Sequence, residues 1–264
     1  IGFSGETGYG FPHLHLEIRD SDYFAINPFK CLVPPGKDSN FPILKALLFR
    51  NKEKSLINGH TGQKLIKFRK SRQNTFYLPH PIVFTGTFDL VANTRDIADT
   101  GKFVAPYRIS AIIDDRNYFR LSFNRFAWED NNQLGFVYDM FNSTPGNYYF
   151  NLFFQKGFEL EEKKLLLDDV VGQLPWGKHT GRIVVEDNFG NHSEGQFVLF
   201  KVKKPEVEIQ NVQSGSGRIS LDIKRMTAQN ADEIKIQLLN HKNQSLYSGR
   251  VAERIITDSR NFIL

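Results

Sequence analysis

Tyr107-Arg108-Ile109-Ser110-Ala111-Ile112-Ile113-Asp114-Asp115-Arg116-Asn117-Tyr118-Phe119-Arg120-Leu121-Ser122-Phe123 decides the fold class of this chain. Tyr107, Ile109, Ala111 and Ile113 fall on alternate positions, and so do Phe119, Leu121 and Phe123. A period of two puts every second side chain on one face, which is the pattern of a strand with a single buried side. Asp114-Asp115 between the two runs reads as a hairpin tip, because short polar side chains tolerate turn backbone. Similar short patterns recur at 43–49, 82–91, 148–154, 182–186 and 196–202. Gly86 sits inside the second of these and reads as a bulge. The expectation is a mainly β chain with an antiparallel Ig-like β-sandwich over 37–203. One helix candidate, 158–168, competes with a strand reading of Leu165-Leu166-Leu167.

Punctuation divides the rest. Residues 1–36 are Gly-rich, then strand-like, and end at Pro34-Pro35-Gly36 before polar Lys37-Asp38-Ser39-Asn40, a linker signal. Lys203-Lys204-Pro205 marks a second boundary. Beyond it, 204–264 alternates again at Val207/Ile209, Ile219/Leu221/Ile223 and Ile234/Ile236/Leu238, with a turn expected at 213–217. That length is short for a sandwich of about 100 residues, so a partial β domain is expected. Ile1 opens straight into a Gly-rich motif, and the chain is read as a piece of a longer protein.

Composition excludes several classes. Of 264 residues, 40% are apolar and 24% charged, which suits a globular chain and not a disordered one. The 34 basic and 29 acidic residues are interspersed, so the net charge of +5 forms no Lys/Arg stripe of the kind that binds nucleic acid. No run of about 18 apolar residues is present to span a membrane as a helix. The single cysteine, Cys31, excludes an internal disulfide and a thiolate zinc cluster. It reads as a small buried hydrophobe. The 24 Phe and 9 Tyr favour strands, where aromatics fit a pleated, half-buried surface.

Candidate chemistry concentrates in Gly8-Tyr9-Gly10-Phe11-Pro12-His13-Leu14-His15-Leu16-Glu17-Ile18-Arg19. Read as a strand, His13, His15 and Glu17 share one face, and Leu14, Leu16 and Ile18 share the other, buried one. Two imidazoles one pleat repeat apart can share a metal ion, and zinc takes imidazole readily. By this spacing alone, a solvated polar face is the favoured reading and a metal site the alternative.

The order of Gly2-Phe3-Ser4-Gly5-Glu6-Thr7-Gly8, Pro12-His13-Leu14-His15-Leu16-Glu17 and Asn27-Pro28 resembles the C-terminal part of the M23 zinc metallopeptidases, the LytM/lysostaphin type. Phe11 stands where that family usually has Gly, and Leu16 where it has Phe. The resemblance implies that His15 is a zinc ligand. It implies that His13 acts catalytically, on the attacking water or the developing oxyanion. It implies Zn2+ as cofactor, peptidoglycan peptides as substrate, and a bacterial cell envelope or secreted location. The family's other ligands, spaced His-x3-Asp, lie upstream of this motif, so the site in these residues is expected to be incomplete and the chain alone inactive. Glu17 is read as an exposed strand residue or one that orients a ligand. Two other functions stay in view: a zinc-less M23-like regulator of cell-wall amidases, and a β-sandwich surface module that binds or scaffolds.

The remaining polar landmarks get structural readings. His60, His80, His179, His192 and His241 are isolated and read as surface or satisfied histidines. Asp187-Asn188-Phe189-Gly190-Asn191 resembles the closing hairpin of bacterial Ig-like domains and reads as a turn, in preference to a calcium site. Trp128 and Trp176 read as core or rim packing, with glycan stacking as the alternative.

Overall fold

A computed structural model describes residues 17–32, 36–52, 55–98, 101–153, 155, 157–158, 164–165 and 170–203. It also describes the strand backbones at 207–215, 218–225, 235–239, 245–250, 252–256 and 259–263. The fold is mainly β. The chain forms two compact units, Ile1–Val202 and Lys203–Leu264.

The first unit stacks two sheets on one core. The smaller sheet runs Phe103–Val104, Phe88–Ile97, Ile43–Asn51, Gln63–Lys67, with Tyr148–Asn151 also on Phe88–Ile97. The larger runs Lys164–Leu165, Arg116–Ser122, Arg108–Ile113, Gly177–Glu186, His192–Lys201, Thr75–Tyr77, Arg69–Lys70. Ile82–Thr85 also lies on His192–Lys201 and carries Leu56–Ile57. Leu47, Phe49, Leu90 and Phe150 from the smaller sheet meet Ile109, Phe119, Ile183 and Leu199 from the larger in one buried cluster.

The deciding hairpin is formed as its alternation predicts. Arg108–Ile113 pairs with Arg116–Ser122, and Ile109, Ala111, Ile113, Phe119 and Leu121 are all core. Asp114 and Asp115 take φ of 47° and 60°, the left-handed pair of a tight hairpin turn. In Ile43–Asn51 the core positions Leu44, Leu47 and Phe49 break strict alternation. The register against Phe88–Ile97 slips between Leu44 and Ala46, and that bulge at Lys45 restores the inward phase.

Three expectations are corrected. The run 82–91 is two strands, Ile82–Thr85 in the larger sheet and Phe88–Ile97 in the smaller, so Gly86 is a corner between sheets and not a bulge. The larger sheet is not purely antiparallel: His192–Lys201 pairs in parallel with both Thr75–Tyr77 and Ile82–Thr85. Those two form one course along His192–Lys201, interrupted at Pro79 and Pro81, which have no N–H to give a ladder. The 158–168 helix is not formed in its described part. Lys164–Leu165 is strand on Arg116–Ser122, and the four-residue helices are Leu134–Val137 and Val170–Gln173.

The second unit pairs Val207–Gly215, Arg218–Arg225, Ser259–Ile263 and Ala252–Ile256 in one sheet, and Lys235–Leu239 with Ser245–Arg250 in another. All of these pairs are antiparallel. The expected turn at 213–217 is tighter than read, since Gln213 and Gly215 still pair, with Ser220 and Arg218.

Candidate functional site

His13 and His15 lie outside the described residues, as do Leu14 and Leu16. Glu17 is exposed and ion-paired with Arg19, the exposed-strand reading of that residue. Ile18 is half-buried, less than the buried face expected of it. Ile18–Arg19 then pairs with Ala25–Ile26, and Ala25–Ile26 pairs with Arg125–Phe126. Ile18–Arg19 therefore belongs to a three-stranded sheet whose third member comes from the middle of the chain.

The hairpin is held by its own turn and by Arg125. Asp20 Oδ1 accepts from the backbone N–H of Asp22 and of Phe24, each at 3.0 Å. Tyr23 sits at φ 65° to close the turn. Arg125 Nε donates to Asp20 Oδ2 at 2.7 Å and Nη2 to Asp22 Oδ2 at 3.3 Å, while its guanidinium lies 3.7 Å from the Phe24 ring centroid. Desolvation pushes the Asp20 carboxyl up, but the Phe24 and Asp22 N–H groups and the Arg125 charge outweigh it and hold it below its ordinary value.

Asn27-Pro28 has a local physical reason. Asn27 caps the 3-10 helix Pro28–Lys30, its Oδ1 accepting from Phe29 N at 3.1 Å, and Pro at the first helical position gives up an N–H that would have no partner. The Asn27 backbone N–H donates to Asn124 O at 2.7 Å and its Nδ2 to Asn188 Oδ1 at 2.6 Å. Phe29 meets Phe189 edge-on with centroids 5.2 Å apart. Arg125→Ala is expected to speed amide exchange at Ile18 and Phe24 on the order of tenfold while Ile183 and Leu199 stay protected. Arg125→Lys restores little, since a point charge cannot replace a two-pronged planar donor. Mass-spectrometric or NMR hydrogen exchange measures this, and equal loosening of the core amides would refute it.

Cys31 is exposed just past this helix, not buried as expected; the helix has no buried residue and its apolar neighbours face outward. Between the hairpin, the strand end at Ser122 and the helix Leu134–Val137 lies a cavity of about 510 Å³. Its walls include Phe29, Phe126 and Leu134, all substantially exposed, and Tyr138, whose hydroxyl is pushed up to about 12 by burial and the adjacent Tyr148.

The 187–191 segment is a turn, as read. Asp187 Oδ1 accepts from Phe189 N and Asn191 N at 2.8 Å each, and Gly190 takes φ 90°. Asp187 also meets two residues that sequence reasoning did not connect to it. Carboxylate oxygens of Asp38, Asp96 and Asp187 lie within 4.8 Å of one another, with Asp96 and Asp187 buried. Asp38 lies in the linker and Asp96 near the end of a strand, and no spacing rule joins them. Three carboxylates could hold a hard, oxygen-seeking cation; they lack the imidazoles of a catalytic zinc site. Desolvation first, then the facing Asp187 and Asp38, push Asp96 up to about 6 against the Ile97 N–H that favours its charge.

A folded pKa above the ordinary 3.8 means the fold disfavours ionised Asp96. The penalty is absent below about pH 4, grows between about 4 and 6, and is complete above 6. In the presence of chelator, Asp96→Asn should raise Tm at pH 7.5 and leave it unchanged at pH 3.5. Calorimetry at both pH values measures this, and an equal shift at both would refute it.

His179 is a satisfied structural histidine. Its Nδ1 faces Asp114 Oδ2 at 2.5 Å and its Nε2 faces Pro175 O at 2.8 Å. His60, His80 and His192 are exposed, and His241 lies outside the described residues. Trp176 is exposed on the rim with the Lys201 ammonium 5.1 Å from its ring centroid, and the Lys201 Nζ also donates to Leu174 O. Trp128 opens the 3-10 helix Trp128–Gln133.

No protein-family model, characterised protein or solved structure matches the chain. No helix among the described residues is long and apolar enough to cross a membrane.

Proposed function

We propose that this chain carries the C-terminal part of an M23-type zinc metallopeptidase that hydrolyses peptide bonds of bacterial peptidoglycan, in the cell envelope or after secretion. The observation that carries the reading is the order Gly-x-Thr-Gly, Pro-His-Leu-His-Leu-Glu, Asn-Pro in residues 5–28. Three features downstream of the histidines support it: a strand at Ile18–Arg19, a hairpin partner at Ala25–Ile26, and Asn27-Pro28 turning the chain out of the sheet.

In this reading His15 holds the metal, with further ligands of the His-x3-Asp type. Zinc there supplies a bound water acidified toward pKa about 7 and polarisation of the scissile carbonyl. His13 accepts a proton from the attacking water or donates a hydrogen bond to the oxyanion as it forms. The hairpin braced by Arg125 fixes the strand direction beyond the histidines, so its role is positioning.

The experiment is zinc content by mass spectrometry and digestion of purified wall material by the full-length protein. Near one zinc per chain with chelator-sensitive release of wall peptides supports the reading. Wall binding with neither zinc nor hydrolysis would favour an amidase regulator or a surface-binding module.

A further inference from the structure

We propose that the edge formed by residues 64–72, extended onto the smaller sheet by Lys45 and Arg95, binds a linear phosphate-bearing polymer through the charges of its backbone. The inference goes beyond the peptidase reading and does not depend on it.

The mixing of charge expected from the whole chain fails locally. Residues 54–88 hold no Asp or Glu, and Lys64, Lys67, Arg69, Lys70 and Arg72 all fall in the stretch 64–72. The fold puts that stretch on an edge. Gln63–Lys67 is the last strand of the smaller sheet and Arg69–Lys70 the last of the larger. Phe68 joins them, its N–H donating to Lys45 O at 2.9 Å, so the stretch passes beside the bulge. Lys67, Arg69, Lys70 and Arg72 are exposed, and Lys64 is half-buried.

Two cations from inner strands extend it. Lys45 Nζ donates to Asn147 Oδ1 at 2.7 Å and Arg95 Nη1 to Gly146 O at 3.3 Å. Both acceptors are neutral, so these bonds hold the 144–147 turn and leave the charges uncompensated. Desolvation first, then the charges of Arg95 and Lys67, hold the Lys45 ammonium below its ordinary pKa. Arg95 Nε is buried with no hydrogen-bond partner among the described residues. None of these cations is ion-paired with a carboxylate among the described residues. Charge on an edge strand guards a sheet against pairing with another chain. That role accounts for Lys64 and Lys67. It does not account for cations on the inner strands Ile43–Asn51 and Phe88–Ile97, or for a cluster of one sign that repels itself.

Extent decides the length of the ligand. At about 3.3 Å per residue, 64–72 covers up to about 26 Å of chain, well beyond the screening length of about 8 Å at physiological salt. A small anion reaches one or two of these charges, and a chain with repeated charge reaches them all. The cavities of about 510 and 480 Å³ have none of these cations on their walls. Direction decides where the ligand carries its charge. Arg69 and Lys70 are successive strand residues, opposite Tyr77 and Phe76, and so point to opposite faces of the sheet. A polymer lying along the edge meets cations from both sides. A phosphate in its backbone turns oxygens to both, whereas a carboxylate on a side branch turns to one. Bases would add little. Phe68 packs against the core and Phe103 lies under the Arg95 guanidinium, which leaves Tyr77, whereas single-stranded nucleic acid is held on a series of rings.

The test uses the 264-residue chain and fluorescence polarisation of labelled long-chain inorganic polyphosphate. Poly-L-glutamate and a mixed-sequence single-stranded oligonucleotide serve as competitors. The expected result is polyphosphate binding whose log affinity falls linearly with log salt, weaker competition by polyglutamate, and an oligonucleotide that competes no better, phosphate for phosphate, than unlabelled polyphosphate. Arg69→Gln with Lys70→Gln should lower the salt slope by close to two and the affinity by roughly fiftyfold at about 0.1 M salt, because each lost phosphate contact is worth nearly a factor of ten there. Arg116→Gln with Lys178→Gln removes the same charge from exposed positions outside the edge and should leave the affinity within about threefold. Arg72→Gln, in the turn beyond the strands, should lower the slope by close to one and keeps the test independent of edge pairing. No polyphosphate binding, equal competition by polyglutamate, binding that requires the oligonucleotide, or equal losses in the two double variants would overturn the proposal. This binding needs no metal, so polyphosphate bound at the edge of a full-length protein that holds no zinc would refute the peptidase reading and leave the edge standing.

Discussion

His15→Ala in the full-length protein should abolish both bound zinc and release of peptides from wall material, whereas His13→Ala should keep the zinc and lose most of the rate. The difference lies in the task each imidazole performs in the peptidase reading proposed above. A catalytic zinc is held by three protein ligands and keeps one position for water. Removing one of three leaves a site that competes poorly with ordinary chelators, because the ligands' combined free energy, and the orientation they give each other, falls together. With the metal gone, the acidified water and the polarised carbonyl are gone too. His13 contributes only where charge develops, so its loss leaves ground-state metal binding intact. The rate should fall by roughly 10²–10³, the usual effect of deleting one donor to an oxyanion. Metal content and wall-digest turnover of the two variants separate the roles. If His15→Ala retains full zinc and activity, the assignment of residues from the M23 pattern is wrong for this protein.

What could be read from the sequence was whatever is local. The alternation of Tyr107 to Phe123 picks out Ile109, Ala111, Ile113, Phe119 and Leu121, which the structure buries in the core, while Phe123 is partly buried against it and Tyr107 is half-buried at the strand's start; period two needs no knowledge of partners. Asp114-Asp115 and the 187–191 turn were legible for the same reason: the backbone conformations are dictated by the residues that adopt them. Pairing direction was not. Nothing in the composition of Thr75–Tyr77 or Ile82–Thr85 says that both run parallel to His192–Lys201, since that depends on where intervening chain returns them. The candidate site shows the same divide. Asn27-Pro28 could be singled out as a motif, but its contacts to Asn124 and Asn188 could not. Arg125 gave no signal, because the Asp20 it grips lies far back in the chain. The Asp38, Asp96 and Asp187 cluster joins three unrelated stretches and is visible only in three dimensions.

Gly86→Ala should be among the most damaging single-atom-group changes in the first unit, with a loss of about 2–4 kcal/mol. Gly86 is where the chain leaves the larger sheet and enters the smaller one, and it does so at φ 69°. An L side chain there costs about 1–2 kcal/mol in backbone conformation alone. The new methyl would also lie 2.3 Å from Ser55 Oγ and 3.1 Å from Ser55 Cβ, so Ser55 must move. Ser55 is 5% exposed, and its hydroxyl accepts the Thr87 N–H at 2.9 Å. Displacing it takes the Ser55 hydroxyl from the Thr87 N–H, and losing such a hydrogen bond costs about 0.5–1.5 kcal/mol. The corner has little slack to absorb the shift. Phe84 before it and Phe88 after it are both core, with rings perpendicular and centroids 4.9 Å apart, so a rotation at residue 86 moves one ring against the other. Chemical denaturation should show the loss directly, and Tm should fall by roughly 2–4 °C for each kcal/mol in a unit of this size. Combining Gly86→Ala with Ser55→Gly removes the collision but not the left-handed backbone, so the double variant should be less destabilised than the sum of the two single changes. If Gly86→Ala lies within about 0.5 kcal/mol of the parent, the scatter of an unremarkable surface substitution, then neither the strained backbone nor the Ser55 contact exists in solution and the two sheets are joined at that corner in some other way.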